Sequence, residues 1–289
     1  MRRQQRRGAR IEATGTPPGT PAAGSGIVGA MEELGPAGYG DAFADVYDDW
    51  YSEPAATEAA AARLAALAGD GRVLELGVGT GRLAIALAAR GVPVVGIDAS
   101  AAMLERLEAK PGGDRVDTVL ADFSDVPVRG AFAVVVASYN TLFNLPTANA
   151  QRGCLRAAAA RLAATGVVIV EAFVPDPGAP GAIVVPTIVE PDHVVLLAST
   201  VDHDAQTVRS RHITISGDGI RLRPSFVRWA TPDQLDAMAA EAGLALLERH
   251  AGWEGEPFGD DSPVHVSVYS RAGAPVTTPS AAGGTVSGE

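Results

Sequence analysis

The residues that could do chemistry begin with a glycine-rich loop at residues 73–82, VLELGVGTGR. An apolar run with one acid, Glu75, leads into three glycines at alternate positions, Gly77, Gly79 and Gly81, and a helical pattern follows. Because glycine has no Cβ, the backbone can turn sharply there and a ligand can approach it closely. A helix that starts behind such a loop presents free N–H groups and the positive end of its dipole. The stretch therefore predicts a site for a polar ligand at the carboxyl end of a parallel strand.

A second acid, Asp98, ends the next apolar run, VPVVGI at residues 92–97. A carboxylate at the end of the second strand can accept hydrogen bonds from ribose hydroxyls. The simpler role, for Asp98 or for Ser100, is to cap the helix expected at 101–110, and both roles can hold together. The glycines do not match the strict dinucleotide pattern, because Arg82 stands where its third glycine would be; only a looser form that ends in alanine fits.

Together, E-L-G-x-G-T-G-R and the later G-I-D-x-S-x-x-M-L resemble the motifs of class I S-adenosylmethionine-dependent methyltransferases. The resemblance implies S-adenosyl-L-methionine as cofactor and an α/β, Rossmann-like seven-stranded sheet, mostly parallel with an antiparallel last strand. It implies that Met103 borders the adenine, that Asp122 binds the adenine amino group and that Phe123 lines the ring. Ordinary packing for Met103 and simple solvation for Asp122 are the alternatives. The cofactor-binding residues predicted on this basis are Glu75, Gly77, Gly79, Gly81, Asp98, Ala99, Met103, Asp122, Phe123 and Ser138.

Two segments are expected around the methyl acceptor. Residues 37–51 carry apolar side chains at helical spacing together with two phenols, and in the resembled family an N-terminal lid covers cofactor and substrate there. The end of the fourth strand faces the transferable methyl group in that fold, and the sequence SYNTLFN follows it at residues 138–144. This stretch lacks the Asn/Asp-Pro-Pro-aromatic motif of enzymes that methylate nucleic-acid amino groups. The predicted catalytic residues are Tyr39, Tyr47, Asn140 and Phe143, with Tyr139 beside the acceptor.

Charge and composition narrow the classes of partner. The 289-residue chain has 23 Lys and Arg against 34 Asp and Glu, and five of the arginines fall in the first ten residues, which hold no acid. The rest of the chain therefore carries 18 basic and 34 acidic side chains, a net charge of −16. Such a body disfavours nucleic acid and anionic membranes as partners. No apolar run is long enough to span a bilayer, the five histidines show no metal-site spacing, and Cys154 has no disulfide partner, so a cytoplasmic protein without a metal is expected.

The domain organisation follows from changes in the pattern along the chain. Residues 1–36 are predicted to be a disordered extension, 37–271 the catalytic domain and 272–289 a disordered tail. Alternating strands and helices predict a parallel sheet up to the fifth strand. Residues 190–230 instead predict an antiparallel insertion of three strands, because short polar turns join their apolar runs. In the resembled branch such a sheet sits over the mouth of the site or joins subunits, so a homo-oligomer is expected.

Over residues 39–270 the chain is similar to actinomycete methyltransferases of antibiotic pathways, on its Tyr–Tyr segment, N-T-L-F-N turn and F-V-R-W-A-T-P-D-Q-L stretch. It is most similar to the N-methyltransferases that finish lincosamides, which implies a small-molecule acceptor with a secondary amine, an N-demethyl lincosamide. No dedicated base is evident, although Tyr39, Tyr47 or Glu171 could assist proton loss. The alternatives are an amino-sugar N-methyltransferase and a natural-product O-methyltransferase. Two alternatives belong to other functional classes: a dinucleotide-dependent oxidoreductase and a non-catalytic scaffold that keeps the cofactor fold.

Overall fold

The computed structural model describes residues 35–273, so most of the predicted N-terminal extension and C-terminal tail lie outside the described residues. None of the helices in this range is long and apolar enough to cross a membrane. The helices are α1 (Gly38–Phe43), α2 (Tyr47–Trp50), α3 (Pro54–Ala68), α4 (Arg82–Ala89), α5 (Ala101–Ala109), α6 (Ala148–Ala160) and α7 (Pro232–Glu241). The strands are β1 (Val73–Leu76), β2 (Val94–Asp98), β3 (Val116–Leu120), β4 (Phe132–Ala137), β5 (Leu162–Phe173), β6 (Ala182–Val189), β7 (His193–Asp202), β8 (Thr207–Ser216), β9 (Gly219–Arg228), β10 (Leu244–His250) and β11 (Val264–Arg271).

Seven of the strands form one central sheet in the order β10-β11-β5-β4-β1-β2-β3. The pairs β1–β2, β1–β4, β2–β3 and β4–β5 are parallel, whereas β11 runs antiparallel to both of its neighbours. The expected seven-stranded sheet with an antiparallel last strand is confirmed. Because β1, β2 and β4 are parallel neighbours, their carboxyl ends meet at one edge, where ligands bind in open α/β sheets.

The central strands are buried on both faces. All four residues of β1 are buried, and so are five of the six residues of β4. One apolar cluster joins β1 and β4 to α6 and α7, and a second joins the same two strands to α3 and α4. Short, continuous apolar strands suit this arrangement because parallel sheets are covered by helices on both sides.

The other four strands form a second, wholly antiparallel sheet in the order β6-β7-β8-β9. Its strands span residues 182–228 and number four, whereas the sequence predicted three strands within 190–230. The missed strand, β6, is an edge strand that contains Pro186 next to a shift of register. Within sheets, proline is tolerated only at such edges and irregularities. Because proline argues against a strand, the sequence did not predict β6.

The N-terminal segment packs over the carboxyl edge of the central sheet as two short helices, not as one. The break between α1 and α2 contains Asp45, whose Oδ2 accepts from Arg221 (2.7 Å) and Arg223 (2.8 Å) of β9. Beneath it, Phe43 packs with Met103 of α5. The two helices therefore connect the central sheet with the second sheet, and we call residues 38–50 the lid.

Candidate active site

The glycine loop after β1 turns through three left-handed glycines. Gly77, Gly79 and Gly81 have φ of +64°, +55° and +82°. A Cβ on Gly77 would lie 2.6 Å from Cγ2 of Thr141, and one on Gly81 would lie 2.6 Å from Cγ of Leu107. A Cβ on Gly79 would meet no atom within 4 Å. Two of the glycines are therefore needed for close packing, while Gly79 leaves open space for a ligand against the backbone.

Hydrogen bonds hold the carboxylate of Asp98, at the end of β2, beside this loop. Its Oδ2 accepts from the backbone N–H of Gly79 (2.8 Å), and its Oδ1 accepts from that of Ser100 (2.9 Å). Burial raises the pKa of the carboxyl, and the backbone N–H donors oppose that shift. The cap of α5 is Ser100, whose Oγ accepts from the N–H of Met103 at 3.2 Å. Asp98 thus keeps lone pairs free for hydroxyl donors, as the hydroxyls of a ribose require.

A cavity of about 230 Å³ lies over the loop and brings most of the predicted residues together. A second cavity of about 300 Å³ adjoins it and shares Tyr39 and Phe123. Asp122 lines only the second cavity, and its exposed carboxylate accepts from the N–H of Ser124 at 2.8 Å. The predicted residues that line the first cavity are Tyr39, Tyr47, Gly77, Gly79, Asp98, Ala99, Met103, Phe123 and Asn140.

Four predicted residues lie outside the lining of both cavities: Glu75, Gly81, Ser138 and Phe143. The Phe143 side chain is fully buried, with its ring edge-on to Phe173 at 5.3 Å, so it contacts the core in this structure. Ser138 is buried as well. Direct contacts of these residues with cofactor or acceptor stay predictions.

Glu75 lies under the glycine loop with only 3% of its surface exposed, and its Oε2 has no hydrogen-bond partner. Burial raises its pKa to about 8, while the cation of Arg82 acts in the opposite direction. A buried oxygen without a partner is costly. A cationic donor on a bound cofactor would offset that cost and restore the charged form.

Asn140 and Tyr139 hold the turn after β4 in a strained shape. Both are left-handed, with φ of +67° and +51°. The Asn140 Oδ1 accepts from the N–H of Phe173 at 2.7 Å, and Glu171 accepts from the N–H of Tyr139 (2.8 Å) and from Nε1 of Trp253 (2.7 Å). Each Glu171 oxygen therefore accepts one hydrogen bond. Asn140 and Glu171 brace this turn, and the proton-accepting role considered for Glu171 stays a prediction.

Sequence reasoning missed several residues of the lining. Tyr51 follows Tyr47 by one helical turn, and its ring lies 4.9 Å from that of Tyr47 and 6.0 Å from that of Tyr139. The spacing of i and i+4 was a signal that could have revealed it. Burial raises the pKa of Tyr39 and of Tyr47, so both phenols stay protonated at neutral pH.

His212 of β8 also lines the cavity, and no local pattern indicated this. Its ring lies edge-on to Phe43 at 5.0 Å and tilted against Trp50 at 5.8 Å. Its Nδ1 is buried without a hydrogen-bond partner. Burial, followed by the cation of Arg223, lowers its pKa.

The chain is similar to known methyltransferases in both sequence and fold. Residues 73–166 match a family model described as a methyltransferase domain. The chain is 31% identical over 193 residues to cypemycin N-terminal methyltransferase from Streptomyces sp. The aligned region covers 65% of this chain and 79% of that protein. The CcbJ methyltransferase structure from Streptomyces caelestis matches with a TM-score of 0.76 and 41% identity over 81% of this chain and 97% of that chain. SAM-bound CalS10, an amino pentose methyltransferase from Micromonospora echinaspora, shares the fold with a TM-score of 0.62 and 23% identity over 79% and 96% of the two chains.

These similarities identify the cofactor of this chain. S-adenosyl-L-methionine is the cofactor, and the open space above Gly79 and the free lone pairs of Asp98 fit it. A dinucleotide-dependent oxidoreductase does not agree with these findings. The chain belongs to the class I S-adenosylmethionine-dependent methyltransferases.

Proposed function

We propose that this methyltransferase methylates a secondary amine of a small-molecule antibiotic precursor, as the final N-methylation of an N-demethyl lincosamide. The observation that carries the proposal is the aromatic enclosure above the glycine loop, to which Tyr39, Tyr47, Tyr51 and Tyr139 all contribute. Transfer into a site of low polarity disfavours a charged ammonium and lowers its pKa. An amine must be neutral to act as a nucleophile, so this enclosure suits an amine acceptor.

One group of residues would bind the cofactor, and another would orient the acceptor. The cofactor supplies a methyl group already activated on a sulfonium. Asp98 would bind the ribose hydroxyls, and Met103 and Phe123 would flank the adenine. The lid residues Tyr39 and Tyr47 would orient the amine, and orientation alone can supply about 7–11 kcal/mol in the best cases.

The relatives support nitrogen as the methylated atom. Cypemycin N-terminal methyltransferase, at 31% identity, is named for an N-terminal substrate. CcbJ, at 41% identity, resembles this chain along 97% of its own length, so the acceptor side is covered as well as the cofactor side.

An amino sugar is the second candidate acceptor. A further cavity of about 530 Å³ shares Tyr139 and Asn140 with the cofactor cavity and contains Glu53, Glu254 and Glu256. Carboxylates at such a place would accept hydrogen bonds from sugar hydroxyls or from an ammonium. This arrangement favours a polar, amino-bearing acceptor over an apolar one.

The deciding experiment is mass spectrometry of the full chain with S-adenosylmethionine and an N-demethyl lincosamide. We expect a gain of one methylene that fragmentation places on the ring nitrogen. The matched control is the same lincosamide already N-methylated: a gain there that fragmentation places on an oxygen would show O-methylation and contradict the proposal. No gain with either, alongside methylation of a nucleotide-linked amino sugar, would support the second candidate instead.

The expected homo-oligomer is part of this proposal. Apolar side chains project from the second sheet into solvent, namely Val184, Val189, Ile215, Ile220 and Leu222. Exposed apolar groups of this kind are typical of interaction surfaces. Light scattering after gel filtration should give a multiple of the chain mass, and a monomer mass would contradict the expectation.

A further inference from the structure

Most titratable groups of the cavity are unsuited to accept a proton from an acceptor amine. Burial raises the pKa of Tyr39, of Tyr47 and of Tyr51, and it raises that of Tyr139 to about 12. These phenols do not form phenolates at neutral pH. Asp98 lies on the cofactor side, next to the glycine loop, where the backbone N–H groups of Gly79 and Ser100 hold its carboxylate.

His212 is the remaining titratable side chain among the described residues that line the cavity. It comes from β8, on the acceptor side, and Phe43 and Trp50 hold its ring from the lid. Its buried Nδ1 has no hydrogen-bond partner, so no contact at that nitrogen fixes the tautomer of the ring. The ring can therefore place its lone pair on the nitrogen that an acceptor reaches.

The surroundings of His212 keep it neutral. Arg223 lies directly opposite on β9, and its guanidinium sits 5.2 Å from the centre of the Trp50 ring. Asp45 of the lid neutralises part of that charge through its 2.8 Å bond to Arg223, and the phenols of Tyr39 and Tyr47 face the same cavity uncharged. Burial and the Arg223 cation lower the pKa of the imidazole, which leaves a lone pair free at neutral pH.

We propose that His212 is the proton acceptor that converts the acceptor ammonium into a nucleophilic amine. This inference rests on the amine acceptor proposed above. In the step, one N–H bond of the ammonium breaks, the proton moves to a ring nitrogen of His212, and the bonding electrons remain on the amine nitrogen as its lone pair. The imidazolium then returns its proton to water.

The first test is the pH dependence of turnover of an N-demethyl lincosamide by His212→Gln and His212→Asn. Each substitution retains a neutral polar side chain that cannot take up a proton. At neutral pH we expect a loss of about 100-fold in kcat, the lower range for general base catalysis. The loss should shrink above the pKa of the amine, where solvent has already removed the proton. A loss that is equal at every pH, or no loss, would overturn the proposal in favour of packing.

Two controls separate this role from a structural one. His203→Gln changes an exposed histidine in the turn between β7 and β8 and should leave the pH profile unchanged. Both His212 variants should bind S-adenosylhomocysteine within about twofold of the wild type, because His212 lies on the acceptor side of the cavity. Weaker binding in step with turnover would indicate a collapsed site and would overturn the assignment.

A second test does not depend on turnover. Nitrogen NMR of the histidine rings in the full chain with S-adenosylhomocysteine should show His212 neutral at neutral pH, and pyrrolidinium should shift its resonances but not those of His203. A charged His212, or no response to pyrrolidinium, would overturn the inference. Failure of the wild type to methylate any amine would instead overturn the proposed function, so the two failures can be distinguished.

Discussion

The two sheets of this protein differ in how deeply their strands are buried. In the central sheet, β1 is buried at every position, and helices cover both faces. In the second sheet, six of the eight residues of β6 are exposed, and Val195 is the one apolar side chain of strands β6–β9 that is buried. Several of its buried side chains are polar instead, among them Ser199, Ser210 and Arg223.

This difference matches a division of the active site. The central sheet contributes Gly77, Gly79 and Asp98 to the cavity, and the second sheet contributes His212 and Ser225. A tightly packed parallel sheet holds the cofactor loop in one shape, whereas a half-exposed antiparallel sheet can vary its surface without disturbing a core. We therefore expect cofactor affinity to depend on the first region and acceptor handling on the second.

The largest expected effect is on cofactor binding by Asp98→Ala. Each hydrogen bond from a ribose hydroxyl to the carboxylate is worth about 1.5–3 kcal/mol, so losing two predicts roughly a 100-fold to 20,000-fold weaker affinity for S-adenosylhomocysteine. Calorimetry measures this directly. Asp202→Ala, at the end of β7 in the second sheet, is the matched control and should bind normally. Equal affinities for the two variants would break the division between the sheets.

The next effect is a pH dependence of stability that comes from Glu75. Its folded pKa of about 8 lies above its ordinary value of 4.5, so the folded state holds the proton more tightly. The protonated Glu75 stabilises the folded state fully at acidic pH. This stabilisation of the folded state is lost as pH rises from about 4.5 through about 8. Each unit of pKa difference is worth about 1.4 kcal/mol, so the cofactor-free protein should lose a few kcal/mol.

Urea unfolding across this pH range tests that expectation. Glu75→Gln should remove the slope, because the amide mimics the neutral acid and does not titrate. Glu190→Gln, between β6 and β7, should keep it. A slope that survives in the Glu75 variant would mean that another group is responsible.

A smaller effect is expected for Gly77→Ala. The new Cβ would lie 2.6 Å from Thr141 in a left-handed backbone conformation. The conformation costs about 1–2 kcal/mol, and the clash adds to it. In Gly217→Ala, at the β8–β9 turn, the Cβ meets nothing within 4 Å, and the free energy of unfolding should change by less than about 0.5 kcal/mol. Chemical denaturation of both variants would sharpen the contrast between a packed and an open turn.

The smallest effect is expected where the two regions meet. Asp45→Asn removes the charge that pairs with the nearly buried Arg223, and solvent around Asp45 limits the loss to about 1 kcal/mol. Hydrogen exchange should rise in the lid, and the KM of the acceptor should increase several-fold with cofactor affinity unchanged. Asp49→Asn, on the exposed face of α2, is the control. A loss of cofactor affinity in the Asp45 variant would show that the lid serves both halves of the site.

The cofactor half of the site could be predicted because its residues are close in sequence. A strand, a loop and a helix are one local unit, so Gly77, Gly79 and Asp98 were identified from their spacing and lie together in the cavity. The same reasoning placed Phe143 after β4 but did not show that its ring packs into the core, and its contact with the acceptor stays a prediction. The direction of a side chain in an irregular turn depends on neighbours that spacing does not reveal.

By itself, then, the sequence determined the fold class and the cofactor, because its motifs of glycine, acid and apolar residues resemble those of class I methyltransferases. It also predicted Asp98 as the carboxylate for the ribose. Only the tertiary structure decided that β6 completes the second sheet, that Glu171 and Asn140 brace a turn, and that His212 enters the cavity. His212 lies more than 160 residues from the lid rings that hold it. Contacts over such a distance arise from how the two sheets pack, and no periodicity along the chain encodes them.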